Sequence, residues 1–318
     1  DVKLGAARVE SYRRFVTKLW NAARFCEMNA IRPDASFDPS HATLPLTRWI
    51  LDAMNRAIEQ ASAALEEYRF DEYAAACYRF TWDTFCDWFV EFAKPMLAES
   101  DSPAAHEVRQ TAAHILGTIL RMLHPAMPFV TEELWDRFGY GEACSLIRAA
   151  WPEPVAVADA SAARDELDWV VRLISEVRSV RTEMGVPPGT LTPILLRDAA
   201  PETLGRGQRW MEAIRRLARA SELKPLTGEM PKGSAQLVLD EATVVLPLAD
   251  AIDIGAERTR LARERDKTAG EMRKIVQKLN NADFVKRAPE EVVEENRERL
   301  TAAQADIARL EAALGRIG

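Results

Sequence analysis

The hydrophobic positions in the first half of the chain recur every three to four residues, the period of an amphipathic α-helix. Proline-bearing turns, such as Arg32-Pro33-Asp34 and Asp101-Ser102-Pro103, interrupt the pattern. Aromatic and aliphatic residues dominate the predicted apolar stripes, so we expect a helical bundle whose core includes Phe80, Phe85, Trp88, Phe89 and Phe92. The pattern predicts helices near residues 4–29, 46–68, 70–98, 103–124 and 128–138.

The composition changes after Trp151-Pro152-Glu153-Pro154, where an alanine-rich stretch leads into a predicted helix near 161–184. Prolines and glycines at 185–189 then favour a flexible linker. Beyond it, a helix is predicted at Gln208–Ala220 among short strands at 192–196, 235–239 and 242–246. The simplest interpretation is a small α/β unit.

From Ile254 onward the apolar positions follow a heptad pattern typical of a coiled coil. Two seams are predicted, separated by a turn from Asn280 to Pro289, which favours an antiparallel hairpin over one long rod. Arg258 and Arg265 fall on the first seam and weaken it at one end. The seams are Ile254, Leu261, Thr268, Met272, Ile275 and Leu279, and then Val293, Asn296, Leu300, Ala303, Ile307, Leu310, Leu314 and Ile317.

These patterns together predict a mainly α protein in three parts. Residues 1–150 form a helical bundle, residues 151–253 form a small α/β connector, and residues 254–318 form a coiled-coil hairpin arm. A length of 318 residues is compatible with two to three domains of about 100–200 residues each.

Composition narrows the class of protein. Hydrophobic residues make up 47% and charged residues 29% of the chain, and no apolar run approaches the roughly 20 residues that a membrane helix needs. We therefore expect a cytoplasmic protein. Cys26, Cys77, Cys86 and Cys144 do not form a C-x-x-C pair, so we predict structural thiols and no metal site.

The net charge of −7 argues against a protein that is basic over its whole surface. Two local stretches differ from this average. Residues 1–32 contain seven Lys or Arg and three acids, and residues 255–287 contain ten Lys or Arg and five acids. Both stretches are candidates for contact with a polyanion.

The first helix carries an unusual polar face. At 100° per residue, one side collects Tyr12, Val16, Leu19 and Ala23. The opposite side collects Arg14, Lys18, Asn21 and Phe25, with Arg24 at its border. Cations, an amide and an aromatic ring in one line are what single-stranded RNA demands for phosphate neutralisation, base recognition and stacking. The alternative is a solvated basic face on which Phe25 packs against a neighbouring helix.

The basic first half of the arm suggests phosphate binding as well. Its second half, from Glu290 to Glu311, has seven acids and three arginines, and could instead pair with the same cations. This alternative applies least to Lys286 and Arg287, which lie near the tip of the arm.

Motifs of catalysis are absent from the sequence, which has no glycine-rich phosphate loop, nucleophile elbow or H-E-x-x-H pattern. The histidines are scattered, and hydrogen-bonded structural roles are expected for those in the bundle helices. We predict no catalytic residue and no metal ligand in this chain.

Three strings resemble the anticodon-binding bundle of class I aminoacyl-tRNA synthetases for branched aliphatic amino acids. They are Leu19–Phe25, Trp82–Trp88 and His124–Trp135. The lead-in Asp1–Leu4, the stretch Arg13–Lys18 and the arm segment Lys278–Val293 are similar to bacterial valyl-tRNA synthetases in particular.

The resemblance implies that the family's nucleotide-binding signatures and its editing domain lie upstream of this chain. The fragment would then be catalytically inactive, and ATP would be used only by the missing catalytic domain. It would bind a valine tRNA as a monomer. The bundle would read the anticodon through Arg14, Lys18, Asn21, Arg24 and Phe25. The arm would contact the tRNA corner through Arg260, Arg263, Lys267, Lys274, Lys278 and Lys286.

Two other classes of function stay open. One is a stand-alone tRNA-binding or scaffold protein, and the other is a coiled-coil module that docks protein partners. Neither accounts for the strings in the bundle.

Overall fold

The computed structural model describes residues 5–98, 102–142, 144–239 and 242–316. The lead-in Asp1–Leu4, the turn residue Asp101 and the seam residue Ile317 lie outside the described residues. The chain divides into two compact units, Asp1–Val171 and Arg172–Gly318. The predicted fold class, mainly helical with a small sheet, is confirmed.

The first unit is a helical bundle whose helices follow the predicted ranges. A π-helical segment, Phe80–Phe89, joins α3 to α4, so that the stretch predicted as one helix is continuous but changes its hydrogen-bonding pattern in the middle. The helices are α1 (Ala6–Met28), α2 (Pro45–Glu66), α3 (Phe70–Arg79), α4 (Val90–Ala98), α5 (Pro103–Leu123), α6 (Pro128–Arg137) and the first part of α7 (Ala160–Glu183).

Proline at the first helical position starts α2, α5 and α6, where its missing N–H costs no hydrogen bond. Ser102 caps α5 by accepting a hydrogen bond from the Ala105 backbone N–H at 3.1 Å. The start of α2 is capped from another helix, because the Glu107 carboxylate accepts hydrogen bonds from the backbone N–H groups of Thr43 and Leu44, at 2.8 and 2.9 Å. The hydroxyl of Thr47 donates to the same carboxylate. This carboxylate therefore ties α5 to the start of α2.

The aromatic residues predicted as core lie inside the bundle. Phe80, Phe85, Phe89 and Phe92 are buried, and Phe85 stacks on Phe89 with ring centroids 5.7 Å apart. Trp88 is half-buried and stacks on Phe92 at 5.9 Å. The π-helical segment thus supplies much of the core.

The second unit begins with the last part of α7 and contains a four-stranded sheet in the order β2-β1-β4-β3. Strand β1 pairs parallel with β2 and antiparallel with β4, and β3 and β4 form a hairpin. The bounds in chain order are β1 (Thr192–Arg197), α8 (Pro201–Arg209), α9 (Met211–Ala218), β2 (Ala220–Pro225), β3 (Ser234–Leu239) and β4 (Ala242–Pro247).

The prediction of a single helix at Gln208–Ala220 was wrong. Helix α9 ends at Ala218, because Arg219 adopts a left-handed backbone conformation with φ 56°, and strand β2 follows directly. This strand was missed because Ala220 and Leu223 are its only buried positions, too few for a period-two signal. Helix α8, most of which precedes the predicted range, was missed as well.

The segment predicted as a linker is a hydrogen-bonded turn. Gly185 takes φ 61°, and the Val186 backbone N–H donates to the Arg181 carbonyl at 2.9 Å. The buried guanidinium of Arg181 donates to the carbonyls of Pro187 and Thr190, at 3.3 and 2.7 Å, and to the Thr192 hydroxyl at 2.9 Å. One side chain thereby joins the end of α7 to the first strand of the sheet.

The hairpin arm has the predicted two long helices, α10 (Ile254–Leu279) and α12 (Glu290–Arg316), with a short helix α11 (Ala282–Arg287) in the turn. Leu261 and Ile275 of the first seam, and Val293 and Leu310 of the second, are buried. Asn296 is also buried, and its side-chain amide donates to the Val292 carbonyl at 2.7 Å. The predicted heptad pairing is confirmed.

The Glu107 cap predicts a pH-dependent stability. Burial raises the pKa of Glu107, but the hydrogen bonds from Leu44, Thr43 and Thr47 outweigh burial and lower it below its ordinary value. Because the folded pKa lies below the unfolded one, the stabilisation is present above about pH 4.3 and is lost as pH falls through the folded pKa. We expect Glu107→Gln to cost about 1–2 kcal/mol at pH 7, measured by urea unfolding.

The same comparison at lower pH tests the cause. The difference between the unmodified chain and Glu107→Gln should shrink as pH falls below about 4, where the carboxylate becomes protonated. A difference that stays constant between pH 7 and pH 3 would refute the charged cap.

The Arg181 turn predicts a second stability effect. Arg181→Met keeps most of the side-chain volume but removes the hydrogen bonds from the guanidinium to the carbonyls of Pro187 and Thr190 and to the hydroxyl of the buried Thr192. We expect a loss of about 2–4 kcal/mol, seen as a lower urea midpoint. Arg178→Met, at an exposed position of the same helix, should change stability by less than about 0.5 kcal/mol. Equal effects of the two changes would contradict the role of the guanidinium.

Candidate nucleic-acid interface

The packing of α1 decides which of its side chains face solvent. Its buried residues are Phe15, Leu19, Ala22, Ala23 and Cys26. The predicted apolar side was only partly correct, because Phe15 is buried whereas Tyr12 is 56% exposed. Tyr12 lies near the start of α1, where it lines an apolar groove together with Val9 and Tyr78. The core face of α1 is therefore turned toward Phe15 and Cys26 relative to the prediction.

Lys18 lies at the edge of that core face and is held by the π-helical segment. Its Nζ lies 3.9 Å from the centroid of the Trp82 ring and donates to the Asp87 carboxylate. Only 24% of the Lys18 side chain is exposed. The cation is thus fixed by an ion pair and a cation–π contact before any ligand binds.

The π-helical geometry brings these two partners together. The wider turn of a π-helix, with its hydrogen bonds between residues i and i+5, places Trp82 and Asp87 on the same side of the segment. In a regular α-helix at 100° per residue, the same two positions would lie about 140° apart. The prediction missed both residues as partners of Lys18, although they lie in the string Trp82–Trp88 that carried the family resemblance.

Phe25 lies one helical turn from the end of α1 and is half-buried. The ammonium of Lys94, from α4, lies 6.0 Å from the centroid of its ring. Lys94 also pairs with Glu91 of its own helix. This is the packed arrangement that we named as the alternative for Phe25, and it leaves part of the ring accessible.

Arg14, Asn21 and Arg24 are exposed, and within the described ranges their side chains make no ion pair or hydrogen bond. The neighbouring Arg13 differs, because it pairs with Glu10 at 3.5 Å. The structure therefore divides the five predicted anticodon residues into three free polar groups and two, Lys18 and Phe25, that are already packed.

The thiols near this surface are poor nucleophiles. Burial raises the pKa of Cys26, Cys77 and Cys86 to about 12, so the three thiols stay protonated near neutral pH. In the part of the chain that the structure describes, no group of three or more His, Cys, Asp or Glu side chains could hold a metal ion.

A second basic surface runs along α10. At 100° per residue, five of the predicted cations fall within an arc of about 60° on this helix. They are Arg260, Arg263, Lys267, Lys274 and Lys278, which we call the α10 stripe. All five are exposed and lie away from the buried seam residues Leu261 and Ile275. The sixth predicted residue, Lys286, is exposed near the end of α11.

Arg260 differs from the rest of the stripe. Its guanidinium pairs with Glu257 and with Glu264 at 2.8 Å, and it donates to the Glu183 carbonyl at 3.1 Å. It therefore anchors the base of α10 to the end of α7, within the second unit. The hydrogen bond with Glu257 and the charges of Glu257 and Glu264 raise the pKa of Arg260 above its ordinary value, although partial burial opposes them.

The other four stripe cations have no ion-pair partner among the described residues. Apart from Arg316, which pairs with Glu183 of α7, the arm's described ion pairs join residues of the same helix, as in Arg297–Glu294 and Arg309–Asp306, each at 3.1 Å. The alternative in which the acidic half of the arm neutralises the stripe is therefore not what the described residues show.

None of the helices in the described ranges combines the length and apolar composition of a membrane span.

Comparison with known families identifies two regions of the chain. Residues 47–196 match the family described as the anticodon-binding domain of tRNA ligase. Residues 253–318 match the family described as the valyl tRNA synthetase tRNA binding arm, which corresponds to α10–α12. The predicted anticodon residues of α1 precede the first match, and they stay a prediction.

Individual relatives match along the whole chain. It is 63% identical over 319 residues to the valine–tRNA ligase of Granulibacter bethesdensis, covering 100% of this chain and 36% of that protein. Identity is 55% to the valine–tRNA ligase of Gluconobacter oxydans and 46% to that of Caulobacter vibrioides, each covering 100% of this chain and 35% of the relative. The chain thus spans about a third of the length of the curated relatives it matches.

Proposed function

The chain belongs to the valine–tRNA ligase family, as the part that carries the anticodon-binding and tRNA-binding-arm regions, and on that premise we propose that it binds tRNA(Val). The parent enzyme would join L-valine to tRNA(Val) with ATP, releasing AMP and diphosphate. This part would position the tRNA, as a monomer in the cytoplasm, without an active site or cofactor of its own.

The observation that carries the proposal is the α10 stripe. Four cations without ion-pair partners among the described residues line one exposed face of α10, in a chain whose net charge is −7. A regular row of Lys and Arg matches the repeating phosphates of an RNA backbone, and it coincides with the region that matches the tRNA-binding-arm family. We propose that Arg263, Lys267, Lys274 and Lys278, with Lys286 and Arg260, contact phosphates at the tRNA corner.

The bundle is proposed to read the anticodon through α1. Arg14, Asn21 and Arg24 offer uncommitted donors, and Phe25 offers the accessible part of its ring for base stacking. Lys18 is held by Asp87 and Trp82, so it would meet RNA in a fixed position. We also propose that the chain has three functional parts, namely residues 1–150, 151–253 and 254–318.

The test of anticodon reading is the affinity of this chain for a tRNA(Val) transcript and for the same transcript with its anticodon exchanged, at about 0.1 M salt. We expect tighter binding to the native anticodon. Phe25→Ala or Arg24→Ala should reduce that preference by about 1–3 kcal/mol, because a stacking or base-edge contact is lost.

Arg13→Ala is the matched control for Arg14→Ala. The two arginines are adjacent and exposed, but Arg13 pairs with Glu10 and does not belong to the predicted face. Equal binding of both transcripts by the unmodified chain would exclude anticodon reading, and an Arg14→Ala variant indistinguishable from Arg13→Ala would remove Arg14 from the site.

The arm makes a different prediction. Lys267→Gln combined with Lys274→Gln should weaken binding to both transcripts by the same factor. The slope of log affinity against log salt should fall by about 1–2, because phosphate contacts are lost and base contacts are kept.

Arg297→Gln provides the control on α12, where the arginine is exposed but paired with Glu294. An effect of the lysine changes on one transcript only, or an equal effect of Arg297→Gln, would contradict phosphate binding by the stripe. Dimerisation of the chain without RNA, measured by sedimentation, would instead favour a protein-docking role for the arm.

A further inference from the structure

A polar cleft lies in the α/β part of the second unit, away from the residues that the sequence analysis identified as candidates. It has a volume of about 500 Å³ and is lined by three arginines, Arg172 from α7, Arg197 from β1 and Arg316 from the end of α12. These residues lie 25 and 119 positions apart in the sequence and are brought together only by the fold.

The floor of the cleft is one face of the sheet. Arg197 is directly paired with Thr243 of β4, and Thr243 is directly paired with Val238 of β3. Directly paired residues point to the same side of a sheet, so the three form a row across β1, β4 and β3. Gln236 of β3 also lines the cleft. The floor therefore offers a guanidinium, a hydroxyl and an amide on one face.

Two of the guanidiniums pair with carboxylates. Arg316 pairs with Glu183, whose side chain is only 13% exposed. Arg197 pairs with its sequence neighbour Asp198 at 3.5 Å and stays 44% exposed. A guanidinium has five N–H donors, so one ion pair leaves donors for a ligand. Three arginines and one acid, Glu176, line the cleft, and the carboxylates of Glu183 and Asp198 that pair with two of the arginines are not among its lining residues.

We propose that this cleft binds a phosphate group. Arginine presents a planar fork that matches phosphate oxygens, and an arginine held by a buried carboxylate, as Arg316 is by Glu183, loses little conformational entropy on binding. The hydroxyl of Thr243 and the amide of Gln236 can donate to the remaining oxygens. The phosphate comes either from the backbone of bound RNA, in which case this inference rests on the proposed function, or from a small phosphorylated molecule.

The exposure of Val238 fits this use. Val238 is 80% exposed on an edge strand, next to the polar row, so a ligand on the floor would cover an apolar side chain that is otherwise in water. A ribose or base attached to the phosphate would supply that cover.

The test uses the 318-residue chain with Arg172→Gln and Arg197→Gln combined, and with Arg178→Gln as the control. Arg178 is exposed on the same helix as Arg172 but does not line the cleft. The first experiment measures the affinity of each chain for tRNA(Val) as a function of salt concentration. The second experiment titrates each chain with inorganic phosphate and follows the arginine Nε–Hε signals by NMR.

If RNA supplies the phosphate, the double variant binds tRNA about three- to tenfold more weakly than Arg178→Gln, with a salt slope lower by about 1–2. If a small molecule supplies it, tRNA affinity is unchanged, but inorganic phosphate produces a saturable shift of the Arg316 Nε–Hε signal in the unmodified chain and in Arg178→Gln, and none in the double variant. The proposal is overturned if the double variant matches Arg178→Gln both in tRNA affinity and in its response to inorganic phosphate.

Failure of the proposed function is a separate outcome. An unmodified chain that binds no tRNA would refute tRNA binding by this chain. The phosphate titration would then decide the cleft alone.

Discussion

The burial of one face of α1 is the constraint on which the candidate anticodon surface depends. Phe15 stacks on Tyr78 with ring centroids 4.9 Å apart, and Leu19 and Cys26 are fully buried. These contacts fix the rotation of α1 about its own axis. The exposure of Arg14, Asn21 and Arg24 on the other side of α1 therefore follows from packing, and the half-buried state of Lys18 and Phe25 follows from their position at the border of the packed face.

The π-helical segment adds a second constraint. Its wider turn aligns Trp82 with Asp87, so both can hold the ammonium of Lys18. Partial burial and the neighbouring Asp87 carboxylate raise the pKa of Asp83, whereas Lys18 and Arg79 lower it, so Asp83 and Asp87 both interact with this one cation. A phosphate that approaches Lys18 must compete with those carboxylates, whereas Arg14 and Arg24 carry no such competition among the described residues. We infer that Lys18 contributes position more than net charge.

The sequence predicted what depends on periodicity. The bundle helices, the hairpin β3–β4 and the seams of the arm all repeat a pattern over enough residues to be recognised. It missed features that depend on a few residues or on contacts between residues far apart in the sequence. Strand β2 has two buried positions, the change from α to π hydrogen bonding leaves an apolar run unaltered, and the Glu107 cap joins residues about sixty positions apart. The stripe on α10 could be predicted because all of its residues lie on a single helix. The arginine cleft could not be predicted, since its three arginines come from three separate elements.

The acidic net charge and the basic surfaces are compatible because electrostatic interactions in salt are short-ranged. At about 0.15 M ionic strength the Debye length is about 8 Å, so exposed charges more than one or two helical turns away contribute little at a bound phosphate. The groups that matter are those within that distance, and among the described residues neither Lys267 nor Lys274 forms an ion pair, although Glu264 and Glu271 lie within about one helical turn of them. Arg260, which pairs with Glu257 and Glu264, has its field largely cancelled at the same range. Local pairing within the helix, and not the charge of −7 summed over the chain, therefore decides where the arm can hold a polyanion.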